Sequence, residues 1–441
     1  MTEHAHTVGD TPNIKRGLFW FRHDQRLHDN VGLRLLAEEV DELTMVYIVD
    51  DNLFAATTFG LNRLSDKRLA FLCQSLEDLD TQLQRHHQSL FTFKGRPADI
   101  ITALLQEENY THLGINLFGG FDERAQLQQV KEACPNISVV EGEACTLFNE
   151  DDLPFEISEM PGVFSPFRRK VEKYSQVVPC EPALAHYPLL HKPTCCNQLR
   201  FENTSRVEME SNHTANKTAH IGGELVALSH LEYYLFEAKA AASYKETRNA
   251  LDCWEDSTKL SPWLANGNLS PRAVMQEVKR FERDIVENES TYWIFFELLW
   301  REFFHWLQIK HGSQWFCFSG TQQITPNTTH DPEQFDAWCK GETGYPIVDA
   351  CMKQLSETGY MSNRGRQLVA SCFVHELRQD WRYGAAYFEH ALLDYDVGSN
   401  WGNWQYLAGV GSDPRGHRQF NLQKQTHTYD PEGLFRRKWL G

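Results

Sequence analysis

The 441-residue chain has no apolar run long enough to cross a bilayer as a helix, which excludes an α-helical membrane protein. Its opening, MTEHAHTVGD, lacks the basic-then-apolar layout of a secretory leader, so a cytoplasmic location is expected. The eleven cysteines are scattered, with an adjacent pair at Cys195 and Cys196 and no C-x-x-C. Neither a disulfide framework nor a zinc site is signalled, and reduced, mostly buried thiols are expected. No G-x-G-x-x-G follows the first strand-like run; RHDQRLHDN stands there instead, which argues against the usual dinucleotide cradle. A surplus of positive charge is missing too. The formal net charge of -17 argues against general affinity for nucleic-acid phosphates. There is no repeat at solenoid spacing and no low-complexity tract.

What the chain does contain is unevenly placed. At 41% hydrophobic residues it can bury the cores of two or three domains. From Gly411 to Gly441, six Lys or Arg (Arg415, Arg418, Lys424, Arg436, Arg437, Lys438) stand against three acids (Asp413, Asp430, Glu432). A local basic patch is therefore compatible with an acidic whole. Nine of the twelve tryptophans follow residue 290, which locates any aromatic chemistry there.

Residues 14–145 alternate short apolar runs (GLFWF, LTMVYIV, SLFTF, THLGINLF, ISVV) with amphipathic segments such as PADIITALLQEEN. This pattern predicts a Rossmann-like α/β domain, a five-stranded parallel sheet with helices on both faces. Residues 146–223 are rich in turn residues and proline and predict an inter-domain connector. From 224 to 441 helical periods take over, as in LVALSHLEYYLFEAKAAAS and FFELLWREFFHWLQI, and predict an all-helical domain.

Four segments of the helical half gather polar groups. Ser257, Thr258, Lys259, Leu260 and Ser261 precede Pro262, a natural first helical residue. Hydroxyls, a cation and free N–H groups at a helix start make an anion seat, and an ordinary Ser/Thr cap accounts for the same residues. Glu297, Trp300, Arg301 and Phe304 share one helical face. They read either as a Glu–Arg pair over a half-buried tryptophan or as a pocket wall on which Trp300 stacks a planar ligand. Asn363, Arg366 and Gln367 share a face after a turn near Gly359, flanked by Gly365, and read as a solvated face or as close ligand approach. In DYDVGSNWGNWQY, a helix starting near Asn400 puts Asn400 and Trp404 on one face and Tyr406 roughly opposite. No histidine or third acid stands at ligand spacing beside Asp394 and Asp396, so no metal site is expected.

In this order, these segments resemble the photolyase and cryptochrome flavoproteins nearly from end to end. WFRHDQRLHDN is similar to the family's opening strand and turn, STKLSPWLANGNLSPR to its flavin phosphate loop, ELLWREFF to its substrate helix, and TGYPIVDACM with SNRGRQ to its cofactor cradle. YKETRN, GNWQYLAGVGSDPR and FNLQKQTHTYDPEG resemble the DASH branch, as do Gln367 and Tyr406, which stand where most bacterial dimer photolyases have methionine and tryptophan.

The resemblance implies FAD bound in a U shape in the helical domain, held by Tyr244 and Ser257 to Ser261, with Trp300, Arg301 and Asn363 shared between cofactor and substrate. Arg366 would pair with Asp394 beside the isoalloxazine, and Asp396 would sit against the N3 and O4 edge. The uncharged Asn400 would face N5, placing no like charge beside an anionic reduced flavin. Glu297, Trp300, Asn363, Gln367 and Tyr406 would line the cavity for a flipped-out cyclobutane pyrimidine dimer, with Arg248, Arg301 and Arg364 as cations. The implied enzyme is a deoxyribodipyrimidine photo-lyase: excited reduced FAD donates an electron, two ring bonds split and the electron returns, with no metal. Its implied partner is DNA, preferentially single-stranded, with RNA left open, and a monomer is expected. Glu123 in GGFDERA implies a 5,10-methenyltetrahydrofolate antenna, with Asp122 where classical relatives have asparagine. Trp404 and Trp381 match the inner two of the family's three relay tryptophans. The outer position is Thr328, so slow photoreduction or exit through Trp315 or Trp338 is expected. Two rival readings are a blue-light photoreceptor that signals through partners and a flavin-free nucleotide-binding protein resting on the N-terminal half.

Overall fold

The computed structural model describes residues 14–194, 220–413 and 418–441; Cys195, Cys196 and Arg415 lie outside them, as does most of the SRVEMESNHTANKTAHIGG stretch. Strands β1 (Arg16–Phe21), β2 (Glu42–Asp50), β3 (Leu90–Gly95), β4 (His112–Asn116) and β5 (Ser138–Gly142) form a parallel sheet in the order β3-β2-β1-β4-β5. Helices α1 (Val31–Glu39), α2 (Asp66–Gln84), α3 (Pro97–Glu107) and α4 (Phe121–Ala133) make the crossovers. The run GLFWF is apolar throughout because both sheet faces are covered: Leu18 and Trp20 pack with Ile101 and Leu104 of α3, while Phe19 and Phe21 pack with Leu33, Leu36, Leu76 and Leu79. The strand order reverses between β1 and β4, where α/β sheets open a ligand crevice. There Asn116 Nδ2 donates to Asp24 Oδ2 at 2.6 Å, and the Gly32 N–H donates to Asn116 Oδ1 at 2.9 Å.

The connector carries more structure than its composition implies. Helix α5 (Phe164–Tyr174) buries Phe164, Phe167 and Val171, a short helical period masked by the turn residues around it. Strand β6 (Leu189–Leu190) adds to the sheet beside β2, and two residues are too few to show an alternation.

The rest of the described chain is helical: α6 (Glu224–Glu232), α7 (Tyr244–Thr247), α8 (Ser261–Asn266), α9 (Pro271–Asp284), α10 (Glu289–His311), α11 (Pro332–Lys340), α12 (Pro346–Thr358), α13 (Asn363–Ser371), α14 (Trp381–Ala391), α15 (Val397–Ala408), α16 (Leu422–Tyr429) and α17 (Leu434–Leu440). Helix α12 begins on Pro346 and ends at Gly359 with φ +70, the left-handed cap glycine accepts most readily. Helix α15 starts at Val397 rather than near Asn400, because the Asp396 side chain accepts the Ser399 N–H at 2.7 Å and caps the helix earlier.

Buried charge joins the two halves. The Arg26 guanidinium donates to the carbonyls of His28 (3.1 Å), Asp29 (3.1 Å), Ala144 (2.6 Å) and Gly267 (2.9 Å). Glu224 accepts from the backbone of Leu27 (2.7 Å) and His28 (3.0 Å) and meets the His28 ring at 2.6 Å. Among the described residues no helix is long and apolar enough to cross a membrane, and no cluster of three or more His, Cys, Asp or Glu is placed to hold a metal.

Candidate functional site

A cavity of about 680 Å³ opens in the helical half, within the range of small-molecule sites. Tyr244, Arg248, Ser257, Thr258, Lys259, Leu260, Ser261, Glu297, Trp300, Arg301, Asn363, Arg366, Gln367, Asp394, Asp396, Asn400, Trp404 and Tyr406 all line it. They come from α7, the loop before α8, α10, α13 and α15 with its preceding turn. Arg364 and Trp381 do not line it, and Glu123 belongs to the other half of the molecule.

The deepest charge is Asp394, whose side chain is 3% exposed and accepts from Arg366 Nη2 at 2.7 Å. Burial pushes its pKa up, and the Arg366 charge and hydrogen bond outweigh this and hold it below the usual carboxylate value. Asp394 Oδ1 has no partner, so the wall presents a buried acceptor to whatever fills the cavity. Arg366 is held in turn by its Nε bond to the Met361 carbonyl at 2.9 Å. Asn400 Nδ2 donates to the Ala385 carbonyl at 3.0 Å, which fixes the amide against α14.

Two histidines outside the lining shape the loop before α8. His230 Nε2 bonds the Thr258 carbonyl at 2.8 Å and His220 Nε2 bonds the Lys259 carbonyl at 3.2 Å. Each ring must donate from Nε2, and burial lowers both pKa values, His220 to about 4, so both are neutral near pH 7. With those carbonyls engaged and Lys259 at φ +54, the loop leaves its N–H groups and the Ser257, Thr258 and Ser261 hydroxyls for an anion.

Toward the mouth, Glu297 pairs with Arg248 Nη1. Burial raises the Glu297 pKa and Arg248 partly opposes it. The Arg248 guanidinium lies 4.6 Å over the Trp293 ring. Trp300 is stacked on Phe164 of α5 at 3.7 Å and 9°, so only its other face, edge-on to Tyr406 at 6.0 Å, is left for a ligand. Arg301 lines the cavity but donates to the Cys145 carbonyl at 2.5 Å, acting as a strut to the N-terminal half. Arg418 covers the Tyr406 ring at 4.6 Å and bonds Asp413 at 2.5 Å. Arg364 bonds Asn249 Oδ1 at 3.1 Å and lies 4.7 Å over Tyr429.

A second candidate site lies at the switch point of the sheet. Glu123 Oε1 meets His23 Nε2 at 3.1 Å, and the His23 ring stacks on Phe118 at 4.4 Å. Burial pushes the Glu123 pKa up, and the hydrogen bond and charge of His23 reverse this. A Cβ on Gly120 would stand 2.0 Å from Glu123 Oε2, so the carboxylate folds over the start of α4 only because glycine is there. Asp122 is tied to Arg63 at 2.7 Å.

Among the relay candidates, Trp404 packs on Gly384, where a Cβ would stand 2.2 Å from its ring, one turn from Trp381 on α14. Trp338 meets Trp404 edge-on at 6.1 Å, Trp315 lies 6.5 Å from Phe304, and Trp381 Nε1 donates to the Phe318 carbonyl at 3.0 Å. Sequence reasoning missed His220, His230, Phe164, Trp293 and Arg418 as parts of the site. The histidines and Phe164 have no local pattern to betray them. Trp293 stands one helical turn before Glu297 and was legible by the spacing that exposed Trp300.

Residues 293–441 match the family description "FAD binding domain of DNA photolyase", and residues 17–185 match "DNA photolyase". The chain is 47% identical to a cryptochrome DASH of Idiomarina loihiensis, over 97% of this chain and 93% of that protein. It is 43% identical to a cryptochrome DASH of Vibrio parahaemolyticus, over 97% of this chain and 94% of that one. A crystal structure of a Synechocystis cryptochrome superposes with a TM-score of 0.91 at 37% identity, covering 97% of this chain and 89% of that one. A bacterial class III photolyase from Agrobacterium tumefaciens gives 0.81 at 27% identity, covering 98% and 88%.

Proposed function

The chain belongs to the photolyase/cryptochrome family of flavoproteins, in its cryptochrome DASH branch, and from that membership we propose that it uses FAD and blue light to split cyclobutane pyrimidine dimers, preferentially in single-stranded or looped DNA. The observation that carries this reading is one cavity with an ion-paired, carboxylate-bearing floor and an aromatic, polar mouth. When bound, FAD supplies the light-driven one-electron chemistry.

The residues present fit that cofactor. Asp394 offers its unpartnered Oδ1 to an N–H donor, Arg366 keeps the carboxylate ionised, and the Ser257 to Ser261 loop offers hydroxyls and N–H groups to a phosphate. Asn400 adds an orienting dipole without charge. At the mouth, Glu297, with its pKa raised by burial, keeps a proton more readily than an exposed carboxyl and can donate it in a hydrogen bond to a pyrimidine carbonyl. Tyr406 and the free face of Trp300 provide the apolar walls against which an extruded dimer rests. A net charge of -17 weakens attraction for a duplex backbone. The favoured substrate is then the one whose dimer costs least to extrude, the single strand. For the antenna we assign methenyltetrahydrofolate to the crevice at Glu123, His23 and Phe118.

The test is illumination of the reduced, FAD-loaded protein with dimer-containing single- and double-stranded oligonucleotides, followed by measurement of restored thymines. Faster repair of the single strand is expected. A protein that holds reduced FAD and repairs neither substrate refutes the proposal and leaves the photoreceptor reading.

A further inference from the structure

A second cleft, of about 910 Å³, lies beside the mouth of the first cavity and takes no part in the chemistry proposed above. Most of its wall comes from the Gly411–Gly441 segment, where cations outnumber acids, and the rest from Glu376 and the stretch Gly344–Ile347 that opens α12. Half-buried Phe420 stands in the wall of both cavities, so cleft and mouth are neighbours. Arg364 lies 5.7 Å over that ring, which puts a cation at the partition.

The polar groups of the cleft are unequally satisfied. Asp430 accepts from Arg436 Nε at 2.8 Å and from the Phe435 and Arg436 N–H groups at 3.0 and 3.2 Å, so that acid and that cation answer each other. Asn421 Oδ1 is spent on the Lys424 N–H at 2.9 Å, and the Thr426 hydroxyl donates to the Leu422 carbonyl at 2.7 Å. Glu376 is the exception. Its Oε1 accepts from Gln419 Nε2 at 3.2 Å, while Oε2 is buried with no partner. Burial raises its pKa, with hydrogen bonds and no cation opposing. An unsatisfied buried acceptor is costly until a donor reaches it. Gln419 is exposed, so the carboxylate's present partner is one that a ligand can displace. Ile347 and Leu422 give the cleft apolar surface, and Phe420 and the 37% exposed Tyr345 give it flat aromatic faces. Such a space fits a planar ring that bears an amino group.

We propose that this cleft holds one unpaired base of the strand whose dimer occupies the mouth, a base flanking the dimer, and that Glu376 selects a base with an exocyclic amino group. The ring rests on Phe420 and Tyr345, its amino group donates to Glu376, and Arg364 meets a phosphate between the two sites. Cytosine, adenine and guanine carry such a donor. Thymine sets carbonyl oxygens on both sides of its one ring N–H, and these repel the carboxylate. The proposal rests on the reading that the mouth takes a dimer from DNA. It adds a physical ground for favouring the single strand, because a flanking base that is paired in a duplex must first be unpaired to turn into the cleft.

The experiment measures binding of the FAD-loaded full chain, in the dark, to single strands with one thymine dimer, by fluorescence anisotropy. Cytosine, thymine or an abasic site is placed in turn on each flank. At one flank cytosine is expected to bind about 5- to 100-fold more tightly than the abasic site, the range of one stacked base, with thymine between them. Glu376→Ala removes the difference between cytosine and thymine, and Glu376→Gln, whose amide both donates and accepts, narrows it. Neither variant changes FAD content or the repair of a dimer with abasic flanks. 2-Aminopurine at the same flank is quenched on binding, and less so in Tyr345→Ala. Equal affinity for all three strands at both flanks, or a cytosine preference that survives Glu376→Ala, overturns the assignment and leaves the reading of the mouth standing. A wild-type chain that holds FAD and binds dimer-containing and undamaged strands alike overturns the reading of the mouth together with it.

Discussion

Arg366→Ala removes the counter-charge of the most buried carboxylate in the cavity. Asp394 is 3% exposed and bonded to Arg366 Nη2 at 2.7 Å; without that partner it has no cation of its own. Breaking a buried pair from one side costs about 3–5 kcal/mol. Because 25% of the Arg366 side chain reaches solvent, the lower end, about 3 kcal/mol, is expected. The loss depends on pH with a definite sign. In the wild type the folded pKa of Asp394 is depressed, so its contribution is present above the unfolded value and is lost as pH falls through the folded one. In the variant desolvation raises the folded pKa instead, so the penalty grows as pH rises through that value and is small in acid. The assay is urea unfolding of the flavin-free chain at neutral pH, followed by tryptophan fluorescence, with the FAD-to-protein ratio of the purified variant measured beside it. Asp394→Asn added to Arg366→Ala removes the lone charge and recovers most of the loss. A single-variant loss below about 1 kcal/mol, the scale of an exposed pair, or a double variant no more stable than the single one, refutes the reasoning.

His220 is held neutral by burial with its pKa lowered to about 4 from 6.5, so the unfolded chain binds the extra proton and stability falls as pH drops from 6.5 toward 4, by about 3 kcal/mol in all; His220→Gln flattens that part of a pH series of melting curves. Gly384→Ala drives a methyl to 2.2 Å from Trp404 and costs about 1–3 kcal/mol by overpacking, read in the same urea assay. Glu297→Ala keeps FAD and loses dimer repair, and loss of FAD instead places Glu297 against the cofactor. Arg364, bonded to the neutral Asn249, keeps its charge for a phosphate, so Arg364→Ala lowers the salt slope of single-strand binding by about 0.7, measured by fluorescence anisotropy.

The five-stranded sheet was legible because strands buried on both faces read as unbroken apolar runs, and α12 because Pro346 and Gly359 mark its ends. Helix α5 was not legible: its three buried positions sit among prolines and turn residues that dominate any local window. The cavity was legible only in pieces. Spacing on α10 put Glu297, Trp300 and Arg301 on one face, but a shared face does not say what each side chain meets across the fold. Trp300 spends one face on Phe164, 136 positions earlier in the chain, and Arg301 turns to a carbonyl of the N-terminal half. Of the three, Glu297 alone keeps its polar end on the cavity, held there by Arg248 from α7 and its turn. Local period therefore locates a wall, while the division of that wall into ligand contacts and struts is decided by partners distant in sequence. The connector helix is one of those partners: by covering Trp300 from behind it fixes which face of the indole a substrate can reach, which makes residues 164–174 part of the mouth as well as a link between the two halves.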